Sequence, residues 1–233
     1  MSSAASSTAE PRAAAAVTAT ATCAVLVPAF NEAATIGEVV RCALASEVGP
    51  VLVVDDGSTD GTAAAATAAG AEVLRLPHNV GKGGALLAAA VAVTNDVVVL
   101  LDADLVGLTP AQVRDLAGPV CRGDADMTRG VFRGGRWRTT AAQRLTPQLN
   151  GQRALRRSGL LAVPGLGGSR YGVEIAIGEH ARRRRWRRLD VPLEGVSQVM
   201  KEEKHGVLAG IALRAGMYRD ILRALLRRGG EDA

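Results

Sequence analysis

The sequence predicts an α/β protein: a mostly parallel, Rossmann-like sheet with helices on both faces, closed in a single domain. Two observations predict it. Short apolar runs of four to six residues alternate with stretches at helical spacing, the pattern of βαβ units. The chain also has 233 residues, 48% of them hydrophobic, which is enough for one sizeable core.

Cys23–Pro28 is an apolar run ending in Pro and reads as a buried strand. Asn31 is placed to cap a helix over Glu32–Ala45, with Ile36, Val39, Val40 and Ala43 at helical spacing. Val51–Val54 is a second strand, Thr59–Gly70 an Ala-rich helix that Gly70 can end, and Glu72–Leu76 a third strand. Gly81–Val93 predicts a helix, Val97–Leu101 a fourth strand and Ala111–Val120 a further helix. Beyond these, Asp126–Arg138 reads as a strand and a Gly/Arg-rich loop, Leu145–Gly159 and Tyr171–Arg185 as helices, and Arg188–Val199 as a late strand region. Val207–Arg228 is amphipathic, with five Arg against a Leu-rich face.

Composition excludes several classes. Only 3% of residues are aromatic, so a base-stacking nucleic-acid platform is poorly supported. Cys23, Cys42 and Cys121 are too few and too scattered for a disulfide framework, and read as buried or idle thiols of a reducing compartment. No apolar run approaches the roughly 18 residues of a membrane span. Residues 1–22 are mostly Ala, Ser and Thr without the pattern of a secretory signal, and read as a disordered tail. The expected location is the cytoplasm. Charge is divided: residues 1–126 hold 6 Lys/Arg against 14 Asp/Glu, while residues 127–233 hold 22 against 9. The halves are expected to meet different partners, or one to hold a cation while the other holds an anion.

Ligands of an open parallel sheet bind at the carboxyl ends of its strands. Three of the predicted strands end there in polar residues that a core would reject: Pro28-Ala29-Phe30-Asn31-Glu32, Asp55-Asp56-Gly57-Ser58 and Asp102-Ala103-Asp104. Alone, a D-x-D pair reads as capping or solvated acids. Placed just past VVVLL, it reads as two carboxylates sharing Mg²⁺ or Mn²⁺ with the phosphates of a nucleotide. The 55–61 segment serves as a turn and helix start, and its carboxylates can also bond a base or ribose. Gly81-Lys82-Gly83-Gly84 lacks the Walker spacing, but its glycines allow close approach of backbone to ligand and Lys82 can meet base or phosphate.

Together PAFNE (28–32), VVDDGSTDGT (53–62), NVGKGGAL (79–86) and LLDADL (100–105) resemble the nucleotide-sugar half of family 2 glycosyltransferases, over about residues 23–106. The resemblance implies a GT-A fold, divided as a nucleotide-sugar half (23–106) and a basic acceptor half (107–206), followed by the helix at 207–233. It implies a nucleoside diphosphate sugar, UDP-linked for preference, with Pro28, Ala29, Phe30, Glu32, Asp55, Asp56 and Lys82 near base and ribose. Asp102, Ala103 and Asp104 would meet ribose, diphosphate and metal, with Asp104 also counted as catalytic. NGQRALRR (150–157) and RYGVEIAI (170–177) resemble acceptor-side segments of small bacterial members. The run GKGGAL, DADL and YGVEI is similar to the glucosyl-3-phosphoglycerate synthase group. The family often carries a His metal ligand after the last strand. Here Gln198 stands about there and His205 a few residues on, so either Gln198 or water fills that place or His205 swings in.

Glu174 lies in an otherwise apolar helical turn four residues after Arg170. It reads as a structural partner of that Arg, or as a catalytic group that orients an acceptor hydroxyl or takes its proton. Arg153 and Tyr171 join it as acceptor-side candidates. Nine Arg and no acid between residues 127 and 173 point to an anionic acceptor, either a phosphorylated small molecule or a polyprenyl phosphate. The terminal amphipathic helix leans towards contact with the inner membrane surface. Two other readings compete: a nucleotidyltransferase of related fold, and a non-catalytic basic protein that binds nucleic acid or membrane surfaces.

Overall fold

The computed structural model describes residues 21–133, 151–169 and 172–198. Seven strands form one sheet in the order β3-β2-β1-β4-β7-β6-β8. They are β1 (Cys23–Ala29), β2 (Val51–Asp55), β3 (Glu72–Arg75), β4 (Val97–Leu100), β6 (Met127–Arg133), β7 (Arg153–Arg156) and β8 (Arg188–Glu194). A separate antiparallel pair joins β5 (Leu105–Val106) to β9 (Ser197–Gln198). The helices are α1 (Ile36–Ala45), α2 (Thr62–Ala68), α3 (Lys82–Ala92), α4 (Pro110–Cys121), α5 (Arg157–Leu161) and α6 (Val173–Arg183), with a 3₁₀ turn at Leu166–Gly168.

The short β-branched runs become strands because both of their faces are covered. Along β1, Val25 and Val27 point into a cluster with α1, α2 and α4, including Ile36, Val40, Ala66 and Leu116. Ala24 and Leu26 point the other way, to Ala85, Leu86 and Ala89 of α3, Leu160 of α5 and Ile177 of α6. β4 repeats the alternation, with Val97 and Val99 on the first side and Val98 and Leu100 on the second. The expected architecture is therefore the observed one.

Chain direction departs from uniform parallel pairing at one strand. β7 runs antiparallel to both β4 and β6, while the pairings β1–β2, β2–β3, β1–β4 and β6–β8 are parallel. This corrects the helix expected over Leu145–Gly159 at residues 153–156; residues 157–159 are helical, in α5, and residues 145–150 lie outside the described ones. Arg153-Ala154-Leu155-Arg156 supplies the ladder that β4 would otherwise leave open on the side away from β1, and sheet pairing overrides local helical spacing. The reversal sets the start of β7 beside the end of β4, with Leu100 opposite Arg153.

The first helix also starts later than expected. Asn31 sits in the left-handed region at φ 55°, Thr35 is the N-cap, and the helix opens at Ile36. The Asn31 side chain instead accepts from the Thr59 N–H, and Ser58 Oγ accepts from the Asn31 N–H. These bonds clip the loop after β1 to the loop after β2. Helix α4 begins as a capping box, with the Thr109 hydroxyl accepting from Gln112 N–H and Gln112 Oε1 accepting from Thr109 N–H.

Helix α3 is positioned by a close backbone contact. Gly83 N–H donates to the Ser169 carbonyl at 2.9 Å, and a Cβ on Gly83 would meet the carbonyl oxygens of Leu166 and Ser169, the latter at 2.5 Å. Those neighbours are main chain and give way only if the segment moves. Gly83→Ala is expected to cost about 2 kcal/mol, within the usual range for overpacking, read as a lowered midpoint in thermal unfolding followed by circular dichroism.

Candidate active site

Strand order reverses beside β1: the chain builds outward through β2 and β3, then returns to add β4 on the other side. Such a switch point is the binding crevice of an open α/β sheet. The three polar strand ends meet at this rim. A fourth element joins them, because reversed β7 delivers Gly151 and Gln152 to the same place.

Lys82, the first residue of α3, lies at the centre. Its Nζ donates to Asp102 Oδ1 at 2.6 Å and to Glu174 Oε1 at 2.5 Å. Side-chain exposure is 29% for Lys82, 14% for Asp102 and 11% for Glu174, so the triad is largely withdrawn from water. Asp102 Oδ2 accepts from Gln152 Nε2 at 2.9 Å and from Gln198 Nε2 at 2.7 Å. Burial alone would raise the Asp102 carboxyl, but the Lys82 charge and these bonds hold it below the usual carboxylate range. Lys82 follows the same logic with opposite sign: burial pulls it down, and Asp102 and Glu174 push it above the ordinary lysine range. Glu174 therefore has Lys82 as partner, while Arg170 lies outside the described residues.

Gly151 makes room for this arrangement. A Cβ there would lie 2.5 Å from Asp102 Oδ1 and 2.6 Å from Lys82 Nζ. Gly151 and Gln152 escape a reading of the sequence, because nothing in N-G-Q-R announces a reversed strand.

The other candidates divide into two groups. Asp56 is 3% exposed, and its two oxygens accept from the N–H groups of Val80 and Gly81, at 2.8 and 2.9 Å. It thereby fixes the turn that starts α3 and aims Lys82. Asp55 is fully buried; Oδ1 accepts from Ser58 N–H at 2.9 Å, and Oδ2 lies 3.3 Å from Arg75 Nε. Both acids organise the rim from below. Pro28 and Ala29 close β1, followed by Phe30 at 44% exposure and half-buried Glu32, whose N–H donates to Thr62 Oγ1 at 2.8 Å. Ala103 is buried and Asp104 half-buried just past Asp102.

Of the residues expected to meet an acceptor, Arg153 is 2% exposed on β7. Burial pulls its guanidinium below the ordinary arginine range, against the nearby charges of Glu174, Asp102 and Asp190. Arg129 forms a bidentate pair with Asp190, at 2.9 and 2.7 Å. Tyr171, His205, Arg136, Arg138 and the segment 207–233 lie outside the described residues. Among the described residues no helix is long and apolar enough to cross a membrane.

Two outcomes follow from the triad. Lys82→Met leaves two neighbouring carboxylates without their cation and is expected to cost about 3 kcal/mol at pH 7. Asp102 ionises at lower pH when folded, so its contribution is full above the unfolded value near 3.9 and is lost as pH falls through the lowered folded one. The deficit of Lys82→Met should therefore shrink on acidification through that region, measured as the difference in unfolding midpoint between the two proteins. Gly151→Ala should push the Lys82–Asp102 pair apart and cost at least about 1.4 kcal/mol, within the range for overpacking, checked as a lowered midpoint in thermal unfolding.

The chain matches the sequence profile described as Glycosyl transferase family 2 over residues 24–188. Glucosyl-3-phosphoglycerate synthase of Mycolicibacterium smegmatis (strain ATCC 700084 / mc(2)155) is 31% identical over 244 residues, covering 90% of this chain and 78% of that protein. The crystal structure of glucosyl-3-phosphoglycerate synthase from Mycobacterium tuberculosis with Mn²⁺, UDP and phosphoglyceric acid is similar at TM-score 0.72 and 29% identity, covering 90% and 79% of the two chains. A structure of the same enzyme with Mn²⁺, UDP-glucose and phosphoglyceric acid gives 0.71 and 29%, over 90% and 80%. These likenesses leave the nucleotidyltransferase and the non-catalytic basic protein without support. A chain whose four strand-end motifs, sheet order and profile agree in this way belongs to glycosyl transferase family 2, and it is a glycosyltransferase of GT-A fold.

Proposed function

We propose that this glycosyltransferase moves a sugar from a UDP-sugar, UDP-glucose foremost, to a small phosphate-bearing acceptor of the phosphoglycerate kind, with Mn²⁺ or Mg²⁺. The observation that carries the reading is the Lys82 ammonium between Asp102 and Glu174 at the switch point of the sheet. The solved relatives support it through what they hold: Mn²⁺ with UDP-glucose and phosphoglyceric acid in one, Mg²⁺ with UDP in another.

Asp102 and Asp104, separated by one residue, offer the carboxylate oxygens a hard divalent ion takes; the Asp102 oxygens, held here by Lys82, Gln152 and Gln198, would exchange one of those partners for the ion. Among the described residues no group of three His, Cys, Asp or Glu gathers to hold a metal. Asp102 and Asp104 would hold the ion and would leave coordination positions to the donor's phosphates, with His205 a further candidate ligand. When bound, the ion supplies Lewis-acid neutralisation of the departing diphosphate.

The remaining roles fall to the chain. Gln152 and Gln198 hold Asp102 Oδ2, fixing the carboxylate plane before ligand arrives. Lys82 screens Asp102 from Glu174 and would meet the nucleotide's ribose or phosphates. Pro28, Ala29, Phe30 and Glu32 line the base side, on a loop clipped to its neighbour by Asn31 and Ser58. Glu174 faces the acceptor side of the same ammonium, where a carboxylate orients a hydroxyl for transfer. Arg153 lends a desolvated positive charge that favours an anionic acceptor.

The test is a thermal-shift panel of UDP-, GDP- and dTDP-sugars with and without Mn²⁺, followed by UDP release from UDP-glucose with 3-phosphoglycerate. Stabilisation by UDP-glucose that requires Mn²⁺, with release dependent on acceptor, is expected; indifference to metal and nucleotide overturns the proposal. Asp104→Asn should lower kcat/KM about 10³-fold, a loss of several kcal/mol of charge stabilisation. Glu174→Gln should depress turnover more than nucleotide binding, and equal activity of both forms removes its assigned role.

A further inference from the structure

We infer that Cys23 and Cys121 form a redox modification site, a dithiol that an oxidant closes into a disulfide at the end of the sheet opposite the donor rim. Cys23 is the first residue of β1 and Cys121 the last of α4, 98 positions apart in sequence, yet their Sγ atoms lie 2.7 Å apart. The pair is already in contact, so bond formation asks for no rearrangement of strand or helix. In register Cys23 sits opposite Val97, where β4 begins, while Asp102 follows the other end of that strand. The dithiol and the catalytic rim thus occupy opposite ends of the same two strands.

The surroundings give the two sulfurs different roles. Cys121 is partly exposed and Cys23 is buried at 6%. A hydrogen bond from the Cys23 thiol, with Arg122 and Arg156 nearby, holds Cys121 below the usual thiol range against its burial. The same hydrogen bond, with burial and the charges of Cys121 and Asp96, pushes Cys23 up. Cys121 is therefore the sulfur an oxidant meets first, and Cys23 the one that resolves it. Among the described residues no third metal-ligating side chain joins them, which leaves pairing rather than metal binding as their chemistry. Cys42 stands apart, its Sγ donating to the Leu108 carbonyl at 3.2 Å.

With hydrogen peroxide as oxidant the steps balance. The Cys121 thiolate attacks one peroxide oxygen, the O–O bond breaks, and hydroxide leaves to take a proton and become water, forming a sulfenic acid. The Cys23 sulfur then attacks the Cys121 sulfur, the S–O bond breaks, and the oxygen leaves as a second water with the Cys23 proton. Two thiols are oxidised by two electrons to one disulfide while peroxide is reduced to two waters; a dithiol reductant reverses the outcome. The closed loop contains β1 to β5 and α1 to α4, so the bond constrains the unfolded chain across the whole nucleotide-sugar half.

The experiment treats the full-length protein with hydrogen peroxide, alkylates the remaining thiols, and maps the peptides by mass spectrometry without reduction. The expected result is a cross-linked Cys23–Cys121 peptide, one alkylated thiol of the three, at Cys42, and a melting temperature higher by about 5–10 °C that dithiothreitol reverses. Cys42→Ser should behave like wild type, whereas Cys23→Ser and Cys121→Ser should each lose the cross-link and the shift. Three alkylated thiols, a cross-link through Cys42, or a stable sulfinic acid at Cys121 overturns the inference. Should either serine variant fail to fold, mapping of wild type and Cys42→Ser still decides.

Discussion

One buried cation holds the site together. Asp102 and Glu174 come from distant parts of the chain, one at a strand end and one in a late helix, and both would resist burial as anions. The Lys82 ammonium lies within hydrogen-bond reach of each. Its charge lets two carboxylates stand close together in a crevice of low dielectric, ready for a ligand that brings its own balance of charge. The glutamine amides on the far oxygen of Asp102 complete the cage and fix the orientation of the carboxylate.

This cation has its place through main-chain contacts more than through side-chain packing. Asp56 anchors the turn before α3 by accepting from two consecutive backbone N–H groups. Gly83 lets α3 press against the 166–169 segment, which leads directly to the helix carrying Glu174. Gly151 lets β7 pass against Asp102 and Lys82. The apolar clusters on the two sheet faces supply the rigid frame; these close approaches set where the charges lie within it.

Much of that frame can be read from the chain. The alternation of apolar runs and helical stretches gave the strands β1 to β4 and the helices between them. The polar residues after those runs pointed to the rim, because a sheet of this kind leaves strand ends as its one open edge. Helix starts were less legible: Asn31 has the chemistry of a cap, but it spends its side chain on the neighbouring loop, and the helix waits for Thr35 and Ile36. β7 was not legible at all. Four residues with two arginines carry no periodicity that separates strand from helix, and only the open ladder of β4 decides between them. The partner of Glu174 escaped for a related reason: sequence spacing offers Arg170, whereas the fold brings Lys82 from 92 positions away. The pairing of Cys23 with Cys121 likewise exists only in three dimensions.

The reversed strand has a meaning for how such an enzyme diversifies. Because β7 is wedged between β4 and β6 and sets the residue before it against Asp102, the early strand-end motifs and the later basic part of the chain share one continuous piece of sheet. The two halves are thus not exchangeable cassettes. A chimera spliced after residue 106 would import a foreign strand into the wall of the nucleotide crevice.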